Sequence, residues 1–255
     1  VPQDPPEERG GGGTRNAVPY YDIPAHRILH HLVTEAPVRT SALRTLGAAA
    51  NVFAIESLID DLAARVGEDP LDYRLSMLTD PRARDILETV AARADWSRRG
   101  PGGEGQGLGL AFARYKNTAA YAAVAVALKV DEEVRLENIW VVADAGLVIN
   151  PNGARNQLEG GAVQGASWAL KEQVGMAGAG ITSLDWDGYP TLRFSEIPEI
   201  EAELAAQPGQ PSLGVGECSV SPTMAAIANG VAHALGHRIR DMPLSRERIM
   251  ASLMA

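Results

Sequence analysis

Apolar residues recur along this chain with two different periods. Val52, Ile55, Leu58, Ile59, Leu62 and Val66 fall on one face of a helix. Asn51 is the expected N-cap of that helix and Gly67 its terminator. Glu56, Asp60 and Asp61 lie off the stripe and are expected on a solvated face. A second helix is expected from Asp69 as cap and Pro70 as first helical residue through Leu78, and a third from about Arg82 to Trp96. Before them, His26 to Val33 reads as a strand with mixed polar positions. The period then changes. Strands are expected over 107–115, 119–130 and 134–143, with Asp131 to Glu133 as a hairpin connection. Ala120, Ala122, Val124, Val126, Leu128 and Val130 share one apolar face of the second strand, which favours antiparallel pairing. An Asn150-Pro151 turn follows and opens a glycine-rich helix. Residues 174–182 read as a loop, 186–194 as a loop with a short strand, and 196–204 as one more strand. Met224, Ile227, Ala228, Val231 and Leu235 mark a buried helix, with Pro222 in its first turn and Gly236 past its end. Ser245 caps a short tail helix.

Composition narrows the function classes. At 255 residues the chain can be one large domain or two modest ones. A net charge of −9 argues against non-specific nucleic-acid binding. The single cysteine excludes an internal disulfide and any multi-cysteine metal or iron–sulfur site within this chain. No apolar run is long enough to span a bilayer, and no signal peptide is visible. The chain begins at Val1, which suggests a piece of a longer protein. Residues 1–19, with Pro2, Pro5 and Pro6 and four consecutive glycines, read as a linker or loose terminus.

Two stretches can carry chemistry. In Leu213-Gly214-Val215-Gly216-Glu217, a lone carboxylate sits on a glycine-flexed turn ahead of the buried helix. Apolar walls there would raise its pKa toward that of a general base. It can equally be a helix-start acid favoured by the dipole. In the second stretch, Gln157 stands near the start of the glycine-rich helix, with small residues at Gly160, Gly161, Ala162 and Gly165. These suit either close helix packing or a large flat ligand. The glycines of 100–109 lack the lysine and following helix of a nucleotide loop, so a linker entering a strand is expected there. His233 and His237 are four residues apart, but Gly236 breaks the helix between them and no third ligand is in sight, so no metal site is expected.

Three motifs in order resemble one family. They are Arg39-Thr40 through Arg44-x-x-Gly47 to Asn51-Val-Phe-Ala-Ile-Glu-Ser; Asp144-x-Gly-x-x-Ile-Asn-Pro with Gln157-x-Glu-Gly-Gly; and Gly214-Val-Gly-Glu217 with its proline-initiated helix. Together they resemble the large subunit of molybdenum hydroxylases, the xanthine dehydrogenase and aldehyde oxidase family, and most of all its isoquinoline 1-oxidoreductase type. The resemblance covers residues from about 14 to 250. It implies an α+β fold of antiparallel sheets with packed helices, the C-terminal part of a molybdopterin-binding subunit. It also implies two subdomains, 20–99 and 100–255, that meet near the cofactor.

The resemblance assigns roles as well. Glu217 would be the catalytic base. Gln157, Gly160, Gly161, Arg44, Gly47 and Gly216 would lie against the cofactor, and Leu46 would line the substrate cavity. Leu46 stands where the family commonly has proline or phenylalanine, and Cys218 and Ser219 where it often has prolines. The implied cofactor is molybdenum-molybdopterin in its cytosine dinucleotide form. The implied partners are the N-terminal remainder of the large subunit, a small subunit carrying 2Fe-2S clusters, and a small-molecule substrate, an N-heterocycle or aldehyde. Two rivals remain at this point. One is a binding or assembly module that keeps the fold without catalysis. The other, a hydrolase, lacks a nucleophile elbow or a second carboxylate. Nothing in the residues chooses between cytoplasm and periplasm.

Overall fold

The computed structural model describes residues 11–33, 35–38, 42–178, 180–205 and 207–255. The chain is α+β. Its centre is a four-stranded sheet in the order β1-β2-β3-β6, formed by β1 (Gln106–Arg114), β2 (Tyr121–Val130), β3 (Val134–Asp144) and β6 (Glu199–Ala205). The first three strands form an antiparallel meander. The fourth differs from the antiparallel expectation, because β6 pairs parallel to β3. Between them runs α4 (Pro151–Leu170), and a helix of that length returns the chain to the end from which a parallel strand must start.

Helices cover both sheet faces. On one side lie α4 and α5 (Val220–Leu235), with α1 (Ala48–Val66) packed outside α5. Ala122, Val124, Val126 and Leu128 of β2 point into this layer, as expected. The opposite face is buried too: Tyr121, Ala123 and Ala125 pack with Ile86, Leu87 and Val90 of α3 (Pro81–Arg93). Both hydrophobic clusters therefore take members from before and after residue 100. A short helix α2 (Pro70–Ser76), capped by Asp69 with Pro70 at its first position as expected, links α1 to α3. A two-residue hairpin, β4 (Met176–Ala177) and β5 (Gly180–Ile181), and a tail helix α6 (Arg246–Leu253) capped by Ser245 complete the described elements. None of the described helices is long and apolar enough to cross a membrane.

Several local expectations are corrected. Residues 26–33 form no strand; they run exposed, and a strand needs a neighbour to satisfy its backbone groups. Residues 186–193 hold no strand either, and 176–181, expected as loop, supply the small hairpin. Asn51 is not a cap: α1 begins after Gly47, and the Asn51 amide donates instead to Gly13 O (2.8 Å) and Arg15 O (2.9 Å). Of the expected linker, residues 1–10 lie outside the described residues, but 11–19 are packed, with Arg15 and Asn16 buried. Glu56 and Asp60, expected in solvent, are buried around Arg74. The glycines of 100–109 are not a free linker. Gly103 N and Gly105 N donate to His233 O and Ala234 O, and Gly107 and Gly109 press β1 onto the backbone of α5.

Candidate active site

The turn carrying Glu217 owes its place to α5. That helix is buried from Val220 through Val231 because sheet, α1 and α4 enclose it. Its approach is pinned as well. Ser219 is fully buried and donates through Oγ to Leu158 O of α4 at 2.9 Å. Cys218 is buried beside it, and burial pushes its thiol up to about 12, so it stays protonated. One residue earlier, Glu217 is only half-buried.

Both oxygens of Glu217 have neutral donors. Thr45 N donates to Oε1 at 2.7 Å, and the Tyr115 hydroxyl donates to Oε2 at 2.8 Å. Among the described residues Glu217 forms no ion pair. Thr45 and Leu46 both have left-handed backbone, at φ 76° and 51°. A β-branched residue held so is strained by about 1–3 kcal/mol. Here the strained pair aims the Thr45 N–H at the carboxylate. Thr45 is fully buried, and its Oγ1 has no partner among the described residues.

Arg44 ties three segments together. Its guanidinium donates to Gly216 O through Nε at 2.7 Å and also through Nη2. It reaches Gln164 Oε1 at 3.0 Å and both Gln157 O and Gln157 Oε1 at 3.3 Å. The loop before α1, the exposed face of α4 and the Gly216-Glu217 turn thus meet around one cation.

Arg44, Gln157, Gly216 and Glu217 are therefore brought together, with Leu46 beside Thr45 on the same loop. Gly160 lies one turn along α4 from Gln157, exposed, with open space where a side chain would stand. Gly216 is similar; a side chain there would meet only Gln157 Oε1, at 3.8 Å. Gly47 and Gly161 are different. A Cβ on Gly47 would lie 2.4 Å from Gly13 O, and one on Gly161 would lie 2.1 Å from Ser219 Oγ. Their close approaches are to this chain's own backbone and side chains, not outward. The Arg39-Thr40 part of the first motif lies outside the described residues.

Four further residues of the site, Thr45, Tyr115, Arg15 and Gln164, were not singled out from the sequence. Gln164 was findable, because it lies seven residues after Gln157 on the same helix face. Tyr115 and Arg15 carried no signal; the hundred residues that separate them are closed only by folding. The two histidines do not converge. His233 Nδ1 accepts from Leu108 N at 3.1 Å, while His237 pairs with Ser252 at 2.9 Å. Burial holds the His233 imidazole below its ordinary pKa, so it is neutral and available as that acceptor.

Residues 44–198 match the molybdopterin cofactor-binding domain family. The chain is 38% identical to the B subunit of nicotinate dehydrogenase from Pseudomonas putida over 257 residues, 94% of this chain and 22% of that protein. It is 36% identical to the beta subunit of isoquinoline 1-oxidoreductase from Brevundimonas diminuta over 231 residues, 88% of this chain and 29% of the relative. The chain belongs to the molybdenum hydroxylase family. The fold of this molybdenum hydroxylase chain agrees with the solved quinoline 2-oxidoreductase of Pseudomonas putida 86, at a TM-score of 0.74 and 14% identity over 84% of this chain and 53% of that one. The molybdenum hydroxylase chain spans less than a third of the length of the two curated relatives. Each of those relatives is one subunit of an enzyme.

Proposed function

We propose that this chain is the C-terminal part of a molybdenum hydroxylase large subunit that hydroxylates an electron-poor carbon of an N-heterocycle or aldehyde, with oxygen from water, and that Glu217 is its general base. The observation that carries this reading is the state of Glu217. Its carboxylate is oriented at both oxygens by neutral donors, is half-exposed, and sits on the turn that Arg44 ties to Gln157. A binding module without catalysis predicts instead a carboxylate buried in a salt bridge, and Glu217 has no ion pair among the described residues.

The residues fit a cofactor laid against this face. At Gly160, Gly214 and Gly216 the backbone is not left-handed, and nothing in the chain crowds a would-be Cβ. Neither conformation nor internal packing asks for glycine there, whereas a large group resting on the backbone does. Gln157 and Gly216 would hold its near edge, with Arg44 fixing both, and Leu46 would border the substrate. When bound, molybdenum-molybdopterin in the cytosine dinucleotide form supplies the redox chemistry, with the electrons leaving through iron–sulfur clusters on a small 2Fe-2S subunit. Glu217 would take the proton of the water-derived oxygen as that oxygen bonds to carbon, and the hydrogen displaced from that carbon would leave with its two electrons, to be accepted by the bound group. Each Glu217 oxygen accepts one hydrogen bond and keeps further lone-pair capacity for that proton.

The test uses the full-length large subunit co-expressed with its small partner. Glu217→Gln preserves size and the hydrogen bond from Thr45 but removes the base. The expected result is unchanged molybdenum content with turnover reduced by about 10²–10⁴-fold. Turnover equal to wild type in the metal-loaded variant rules out the assignment.

A further inference from the structure

We propose that Tyr115, directed by Arg15, is a positioning residue for Glu217: its hydroxyl holds the carboxylate in the single orientation from which the base works. This rests on the reading of Glu217 as base.

Tyr115 follows directly on β1, and its ring is buried. The hydroxyl lies between two groups. It is 2.8 Å from Glu217 Oε2 and 2.7 Å from Arg15 Nη1. A guanidinium can only donate, so the phenol oxygen accepts from Arg15 and its one hydrogen is left for Glu217. Arg15 thereby sets the direction of the bond. The phenol also keeps that hydrogen: burial first, and the bond to Glu217 second, push it up to about 12.

This arrangement is built rather than incidental. Arg15 is itself buried, stacks over the Tyr115 ring at 5.6 Å, and donates through Nη2 to Gly11 O at 3.0 Å. Asn51 of α1 holds the Arg15 carbonyl. Asn16 donates to Arg114 O at 2.8 Å and accepts from Lys116 N at 2.9 Å, so it locks residues 11–16 onto the turn that carries Tyr115. The left-handed backbone of Lys116 and Asn117 shapes that turn. The opposite oxygen of Glu217 is held by the strained Thr45. Two separate parts of the chain thus grip the two carboxylate oxygens, and neither grip brings a charge into contact with the carboxylate itself.

The experiment compares holoenzymes carrying Glu217→Gln, Tyr115→Phe, the double variant and Arg15→Met. Tyr115→Phe keeps the ring in the core and deletes only the hydroxyl. The expected kcat loss is on the order of 10- to 100-fold, with KM and molybdenum content unchanged. The double variant falls no further than Glu217→Gln alone, because Tyr115 acts only through Glu217. Arg15→Met leaves the phenol in place and gives a smaller loss, which disappears in the Tyr115→Phe background. Wild-type kcat in Tyr115→Phe beside an inactive Glu217→Gln overturns the proposal and leaves the base standing. Wild-type kcat in Glu217→Gln overturns both. Should Tyr115→Phe lose molybdenum, Arg15→Met decides, and wild-type kcat there is fatal. A crystal structure of the wild-type holoenzyme provides a readout apart from activity. Tyr115 Oη within hydrogen-bond distance of Glu217 supports the proposal, and separation beyond that distance contradicts it.

Discussion

Arg74 has the largest fully buried side chain among the described residues, and four hydrogen bonds account for it. Its guanidinium reaches Glu56 Oε2 at 2.9 Å, Asp60 Oδ1 at 3.1 Å, and the carbonyls of Pro70 and Glu56 at 3.0 Å each. Burial pushes the Glu56 carboxyl up, while Arg74, the Tyr21 hydroxyl and Phe112 N pull against it. Arg74→Met fills the volume but leaves the buried Glu56 carboxylate without its cation, while Asp60 keeps its ion pair with Arg238. We expect it to cost about 3–5 kcal/mol, since an unmatched buried charge is costly. Urea denaturation measures this, and a cost under about 1 kcal/mol shows that Glu56 has found another partner or a proton. The sequence placed these acids off the apolar stripe of α1, but the buried face of the helix includes them: Val52, Glu56, Ile59, Asp60 and Ala63 are buried, whereas Leu58 and Val66 of the expected stripe are exposed. It could not say that α2 would set a cation beside them. At the same scale Glu217 was legible as a lone acid on a glycine turn, whereas its partners Thr45 and Tyr115 were not. Hydrogen bonds across more than a hundred residues leave no local pattern.

Among the elements, β1 and α5 approach more closely than side chains allow. A Cβ on Gly109 would stand 2.1 Å from Ala226 O and 2.2 Å from Gly230 N. Both are backbone atoms and cannot swing aside. Gly160 is the counter-case, an exposed glycine inside α4 with open space around it. We therefore expect opposite signs from one substitution. Gly109→Ala destabilises by about 1–3 kcal/mol or more, lowering Tm by several degrees. Gly160→Ala stabilises the chain by up to about 1 kcal/mol through helix propensity. In the holoenzyme, Gly160→Ala lowers molybdenum occupancy if the cofactor rests on this face. Calorimetry with metal analysis separates the effects, and full occupancy in Gly160→Ala removes Gly160 from the cofactor face. The helices and the three-strand meander were legible because their apolar period depends on local sequence. The parallel β6 and the second buried face of the sheet were not, because both depend on where α4 and α3 pack.

For the whole molecule, the site is assembled from five stretches: residues 11–16, 44–47, 115, 157–164 and 216–217. The chain nevertheless covers only 22% and 29% of the nicotinate dehydrogenase and isoquinoline 1-oxidoreductase subunits it matches. We expect the isolated chain to bind no molybdenum, because the opposite wall of the cofactor site would come from the remainder of the large subunit. Metal analysis of the purified chain alongside the full-length protein checks this. Stoichiometric molybdenum in the isolated chain means that the described face suffices alone.

The amino-acid sequence alone determined the family, the main helices and the hairpin order, and it singled out the acid of the candidate site, because each is written in neighbouring residues or in short motifs. Tertiary structure alone decided which glycines face inward and which outward. It also decided which charges are buried and which groups hold Glu217. Those outcomes depend on distances between segments far apart in the chain, and packing sets such distances only once the whole sheet and its helices have closed.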